Sequence, residues 1–257
     1  VCLILVAWRA HPEVPLVVAA NRDEFFSRRT AGADFWADAP AVLAGRDLVA
    51  GGTWLGMTQA GRFAALTNYR DPAQHKPDAP SRGALVADFL AGNAEIDAYL
   101  DSLRPAEYNG FNLLLGDGKK LVAFSNVTGQ RHELAPGIYG LSNAQLDTPW
   151  PKVGAGRTAL AGALDSLPDD SALFRLLRDD SIHPDDTLPA TGVTLEWERL
   201  LSAAFVRSPD YGTRCSTVVK VGADGKASLD EQTWLSGGQA GERRRFRFKL
   251  TDAGQRA

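Results

Sequence analysis

The first third of the chain carries its apolar residues in short bursts bounded by turn formers, the pattern of β-strands. Residues 2–9 and 15–20 are two such runs, separated by Ala10-His11-Pro12-Glu13, and they predict a hairpin. Residues 53–58 and 62–68 predict a second hairpin across Gln59-Ala60-Gly61, entered through the flexible pair Gly51-Gly52. The period then lengthens. Over residues 81–103, Leu85, Phe89, Ile96, Tyr99, Leu100 and Leu103 are spaced for helix, with Ser81 as candidate N-cap and a break at Gly92-Asn93. Residues 111–115 and 121–124 return to strand around Gly116-Asp117-Gly118, and residues 138–142 predict one more.

A helical stretch follows. Pro151 suits a first helical turn, with Ala159, Leu160 and Leu164 on its apolar face. Ser171 is placed to cap a short helix carrying Leu173, Phe174 and Leu177, and residues 195–205 predict a third segment. The end is strand again, at residues 215–221, 227–235 and 243–250. In the last of these Phe246, Phe248 and Leu250 alternate with Arg245, Arg247 and Lys249, so one face is buried and one wet. Strands at both ends with helices between predict one α+β domain over residues 1–257.

Composition narrows the class. Hydrophobic residues make up 44% of 257, enough for a large core, and 28 basic against 31 acidic side chains leave a net charge of −3. That balance gives no footprint for nucleic acid. The longest apolar run, residues 1–8, is far short of the roughly 20 residues of a membrane span and has no basic leader. Two cysteines exclude a disulfide scaffold and a four-cysteine zinc site, and no Cys-x-x-Cys, His-Glu-x-x-His or Cys-x-x-Cys-His motif points to a metal or covalent haem. These features predict a cytoplasmic protein. Arg in excess of Lys, with abundant Ala and Gly, is the bias of a GC-rich bacterial gene. A GUG start codon explains both the leading Val1 and a single Met, Met57.

Cys2 has two readings. It shares a strand face with Ile4, Val6 and Trp8 and suits a core position. It is also positioned as a nucleophile at a mature N-terminus. Once residue 1 is trimmed, Cys2 carries both a thiol and an α-amine with a reference pKa of about 7.7–8.0, a base at neutral pH. Asn21-Arg22-Asp23-Glu24 follows the second strand, and hairpin pairing brings Asp23 towards the Cys2 amine. Cys215 lies in an alternating strand and reads as core.

Six collinear blocks resemble the NRDE family, whose members include homologues of transport and Golgi organization protein 2. They are Cys2-Leu3-Ile4-Leu5, Asn21-Arg22-Asp23-Glu24, Gly51 to Gly56, Leu66-Thr67-Asn68-Tyr69-Arg70, Leu141-Ser142-Asn143 and Tyr211-Gly212-Thr213-Arg214. The same order is similar, more distantly, to the cysteine N-terminal-nucleophile (Ntn) hydrolases, such as penicillin V acylases and bile salt hydrolases. That resemblance implies a four-layer αββα sandwich, two antiparallel sheets flanked by helices. It implies Cys2 as nucleophile, Asp23 on its amine, Asn68 and Asn143 as oxyanion donors, and Arg214 lowering the thiol pKa or binding an acidic substrate. The first Arg of the hydrolase pattern falls on Ala20, a departure. Asn21, Arg22, Trp54 and Arg70 are the candidate ligand contacts, and Trp8, Trp36, Trp54 and Phe63 suit an apolar cleft wall and the core equally.

Two functions follow from the resemblance. One is hydrolysis of a linear amide or acyl compound at a non-peptide C–N bond, with no cofactor required. The other is non-catalytic carriage of haem, acyl-CoA or a lipid in the same cleft, which needs neither a free Cys2 amine nor a thiol. Small molecules are the expected partners, with no nucleic acid and no integral membrane segment.

Overall fold

The computed structural model describes residues 2–251. The chain enters through β1 (Cys2–Trp8) and β2 (Leu16–Phe25), then lays down β3 (Thr30–Phe35), β4 (Val42–Asp47), β5 (Leu55–Thr58) and β6 (Phe63–Asn68). Helices α1 (Gly83–Ala91) and α2 (Ile96–Ser102) follow, then β7 (Phe111–Gly116), β8 (Leu121–Ser125), β9 (Arg131–Glu133) and β10 (Gly137–Leu141). Three helices, α3 (Pro151–Leu164), α4 (Ser171–Leu176) and α5 (Leu195–Ser202), precede β11 (Tyr211–Val221), β12 (Lys226–Leu235) and β13 (Gln239–Lys249).

The strands form two antiparallel sheets, one ordered β10-β1-β2-β11-β12-β13 and the other running β3 to β9 in sequence order. Period-two alternation sends the residues of β1 to two different interiors. Cys2, Ile4, Val6 and Trp8 face the second sheet and pack with Leu43, Leu55, Met57, Phe63 and Leu114. Leu3, Leu5 and Ala7 face outwards and meet Val153 and Leu160 of α3 and Leu173 of α4. On the far side of the second sheet, Ala64, Leu66, Leu113 and Leu115 are covered by Leu85 and Phe89 of α1 and Ile96 and Leu100 of α2. Helix, sheet, sheet and helix therefore stack as αββα, the four-layer sandwich implied by the resemblance. Among the described residues no helix is long and apolar enough to cross a membrane.

Three strands carry no apolar signature. β9 is wholly exposed, β3 is largely exposed, and only the first half of β4 is buried. They lie at the two ends of the second sheet, β3 and β4 at one and β9 at the other, and are defined more by pairing than by burial. β2 extends through the Asn21-Arg22-Asp23-Glu24 segment to Phe25, because β1 on one side and β11 on the other pair with it. α1 starts at Gly83 after Arg82, without a side-chain cap, so Ser81 is not its N-cap. Ser171 is the first residue of α4, and its N–H and hydroxyl both donate to Asp169 Oδ1. Gly51 and Gly52 have different duties. Gly51 takes a φ of +80°, whereas a Cβ on Gly52 would stand 2.4 Å from the Gly83 carbonyl carbon.

Candidate functional site

Register builds the site. Cys2 pairs with Arg22, and Arg22 pairs on its other side with Cys215. The three side chains share the inner face of the sheet, with the cysteines two strand spacings apart, about 9–10 Å. They open onto a cleft of about 570 Å³ between the ends of the sheets, walled also by Trp54, Asn68, His75, Arg82, Glu231 and Trp234. Cys2 is 8% exposed, and its carbonyl accepts the Ser142 hydroxyl at 2.9 Å. Burial pushes the Cys2 thiol up and the Asp23 charge adds to this, while the Arg22 guanidinium and the Asp23 backbone N–H pull it down. Cys215 belongs to the core between the sheets and also borders the cleft. Burial and Glu231 hold its thiol well above the ordinary range.

A buried charged cluster lies behind Cys2. Asp23 Oδ1 accepts the Thr213 hydroxyl at 2.7 Å, and burial pushes the carboxyl up against the lowering charges of Lys152 and Arg70. Lys152, in the first turn of α3, is 3% exposed and donates to the Leu201 carbonyl at 2.9 Å. Burial brings its ammonium down to about 8, opposed by Asp23. Arg70 pairs with Glu198 of α5 at 2.8 Å and lies over the Trp150 ring, and Glu198 also accepts from the backbone N–H and hydroxyl of Thr191.

The predicted residues divide. Cys2, Asp23, Arg22, Trp54, Asn68 and Arg214 reach the cleft wall. The Asn68 amide has no hydrogen-bond partner among the described residues, whereas its carbonyl accepts Asn143 Nδ2 at 2.8 Å. Asn143 is buried, and its Oδ1 accepts the Ser142 hydroxyl, so its amide ties the end of β6 to the end of β10 and does not wall the cleft. Arg214 is the extra residue of a bulge between Thr213 and Cys215. Its Nη1 donates to the Phe25 and Arg28 carbonyls and its Nη2 to the Thr30 hydroxyl. Arg22 is among the charges acting on the Cys2 thiol, whereas the charges acting on Arg214 are those of Arg22, Cys215 and Glu24. Asn21 and Arg70 also lie off the cleft. Asn21 donates to the Leu177 and Ala204 carbonyls and accepts from Ser216, binding the sheet to its outer layer.

Trp8, Trp36 and Phe63 are buried core and do not wall the cleft. Sequence reasoning missed Arg82, Glu231, Lys152 and Glu198. For Lys152 a signal existed: a lysine directly after Pro151 sits at the positive end of a helix, where a cation needs a partner. Glu231 ends a run of five buried residues in β12 and accepts the Ala33 N–H and Thr217 hydroxyl. Among the described residues no group of three or more His, Cys, Asp or Glu is placed to hold a metal.

Residues 1–236 match the family described as Transport and Golgi organisation 2. A Transport and Golgi organization protein 2 homolog of Bos taurus is 41% identical over 243 residues, covering 86% of this chain and 87% of that protein. The Homo sapiens homolog is 38% identical over 241 residues with the same coverage, and the Drosophila melanogaster protein is 29% identical over 263 residues, covering 90% and 92%. Among solved structures, a Caenorhabditis elegans N-acylethanolamine-hydrolyzing acid amidase ortholog aligns with TM-score 0.49 and 13% identity over 84% of this chain and 92% of its own. A Clostridium perfringens conjugated bile acid hydrolase mutant aligns with TM-score 0.47 and 10% identity over 100% and 99%.

Proposed function

The chain belongs to the Transport and Golgi organisation 2 family, and from the geometry of its cleft we propose that it is a cysteine amidohydrolase of the Ntn type. The observation that carries this is the placement of Cys2 at the head of β1, on the cleft, with Asp23 and the Asn68 amide, which has no hydrogen-bond partner among the described residues, on neighbouring segments. In this reading the α-amine of Cys2, free once residue 1 is removed, takes the thiol proton; Val1 lies outside the described residues. Sγ then attacks the carbonyl carbon of a linear amide, and the oxyanion accepts the Asn68 amide hydrogen bond. Collapse breaks the C–N bond, the amine leaves with the proton, and water cleaves the thioester to a carboxylic acid and restores the thiol. Asp23 orients the amine. Asn143 and Arg214 are positioning residues, one fixing Asn68 through its carbonyl, the other fixing the end of β2.

Burial holds the Cys2 thiol above its ordinary range, and this favours a second reading. In it the same cleft, with His75 and Trp54 on its walls, carries haem, acyl-CoA or a lipid without chemistry. One experiment separates the two. Intact mass of protein expressed from its native start codon is read before and after brief iodoacetamide treatment. Loss of residue 1 with Cys2 modified faster than Cys215, and amide turnover abolished by Cys2→Ala, support the hydrolase. Retention of residue 1, or a Cys2 no faster than Cys215, sinks it. Haem or acyl-CoA binding that survives Cys2→Ala then supports the carrier.

A further inference from the structure

Five arginines wall the cleft, and three are already engaged. Arg28 pairs with Asp47 and Arg46 with Asp38, both at 2.6 Å. Arg214 spends its guanidinium on two carbonyls and a hydroxyl. The other two differ. Among the described residues Arg22 has only Glu24 as an ion-pair partner, at 3.7 Å, and shares it with Arg28 at 4.0 Å. Arg82 makes one hydrogen bond, Nη1 to the Gly110 carbonyl, and has no carboxylate within ion-pair distance among the described residues. Both are half-buried or better, and both interact electrostatically with Cys2. Arg82 is held in place by backbone, because Gly83 beside it packs against Gly52 and Thr53 and its carbonyl accepts the Thr53 N–H at 3.1 Å.

We infer that Arg22 and Arg82 form an anion subsite beside Cys2, so that the ligand is an acyl compound bearing a carboxylate or a phosphate. The inference deepens the reading of Cys2 as acyl acceptor and rests on it for the direction in which the acyl group lies. A guanidinium with free donors, in a cleft with more cations than carboxylates, binds planar or tetrahedral oxyanions through paired N–H donors. The role expected of Arg214 thus passes to two residues whose donors remain open.

The test compares alkylation of Cys2 by iodoacetate and iodoacetamide. Both form an Sγ–C bond with loss of iodide, and they differ in charge. The iodoacetate-to-iodoacetamide rate ratio, normalised to N-acetylcysteine, is expected to be raised about tenfold by local anion concentration. Arg22→Met and Arg82→Met each return it towards one, while Arg104→Met, whose side chain is 81% exposed elsewhere on the surface, leaves it raised. A change in thiol pKa moves both reagents alike, so the ratio isolates anion binding. A normalised ratio of one or less, or a raised ratio unaffected by both cleft variants, overturns the subsite. If Arg82→Met does not fold, Arg82→Gln, which removes the charge and keeps a polar end for the Gly110 carbonyl, takes its place.

If neither reagent modifies Cys2, the nucleophile reading fails on its own. The subsite is then judged by thermal shift with octanoate, octyl phosphate and neutral octanamide. Stabilisation by an anion and not by the amide, lost in both arginine variants, supports it, and the stronger anion identifies carboxylate or phosphate as the source. Equal shifts, or none, overturn it.

Discussion

Lys152 offers the sharpest test of the buried cluster. Its ammonium sits 3% exposed at the N-terminal turn of α3, where the helix dipole also disfavours a cation, and burial lowers it from 10.5 to about 8. Between those values the unfolded chain holds a proton on this residue that the folded chain has released. Stability from Lys152 therefore rises with pH through that window. At about 1.36 kcal/mol per unit, the full window is worth about 3 kcal/mol, and about 2.5 kcal/mol of it falls between pH 7 and 10. Urea unfolding of wild type and Lys152→Met, followed by tryptophan fluorescence at pH 7, 8, 9 and 10, reads it as a difference in which other titrating groups cancel. The wild type is expected to gain about 2–3 kcal/mol on the variant across that range. Asp23 on its own runs the opposite way, and it enters the difference because its carboxyl responds to Lys152. Its folded-state carboxyl stands above its ordinary value, so stability is lost as pH rises from that value to the folded one, and removing Lys152 pushes this loss upwards. Lys152→Met combined with Asp23→Asn separates the two contributions. A difference flat from pH 7 to 10 refutes the burial argument for Lys152.

Two further outcomes rest on different parts of the structure. Arg70→Met leaves Glu198 as an uncompensated buried charge and is expected to cost about 3–5 kcal/mol in chemical denaturation, with Arg70→Met/Glu198→Gln recovering much of it. A double variant no better than the single one counts against a buried pair. Gly52→Ala forces a methyl against the Gly83 carbonyl carbon and is expected to lower stability by about 1–3 kcal/mol, whereas Gly51→Ala costs about 1 kcal/mol through its positive φ alone. Equal losses at the two positions contradict the close approach.

The inner strands were legible because both of their faces are buried and turn residues bound them, as in β1, β5 and β7. Strands β3, β4 and β9 were not, since an element that buries little writes little periodicity. The polar end of β2 was hidden for a related reason. Arg22 pairs with Cys2 and Cys215, and nothing in Asn21-Arg22-Asp23-Glu24 announces strand when one of its partners is nearly two hundred residues away. At the site, motif spacing led to the cleft at Cys2, Asp23 and Asn68. It did not separate a side chain that faces the cleft from one that braces it, as Asn143, Asn21 and Arg214 do. That distinction depends on which carbonyl or hydroxyl each group meets, and those partners are set by tertiary contact.

The strand order has a consequence in time. β1 and β2 are made before the other described strands, yet in the sheet β2 is flanked by β11, which follows it by about 190 residues. At a synthesis rate of about 5–20 residues per second, some 10–40 s separate the emergence of Cys2 from that of its far wall. Throughout that interval the cysteine lacks the β11 side of its cleft. Once β11 docks, the same residue is nine-tenths enclosed. The cleft around Cys2 is thus completed late in synthesis, and chain cut short before β11 is expected to leave the Cys2 thiol open to alkylation.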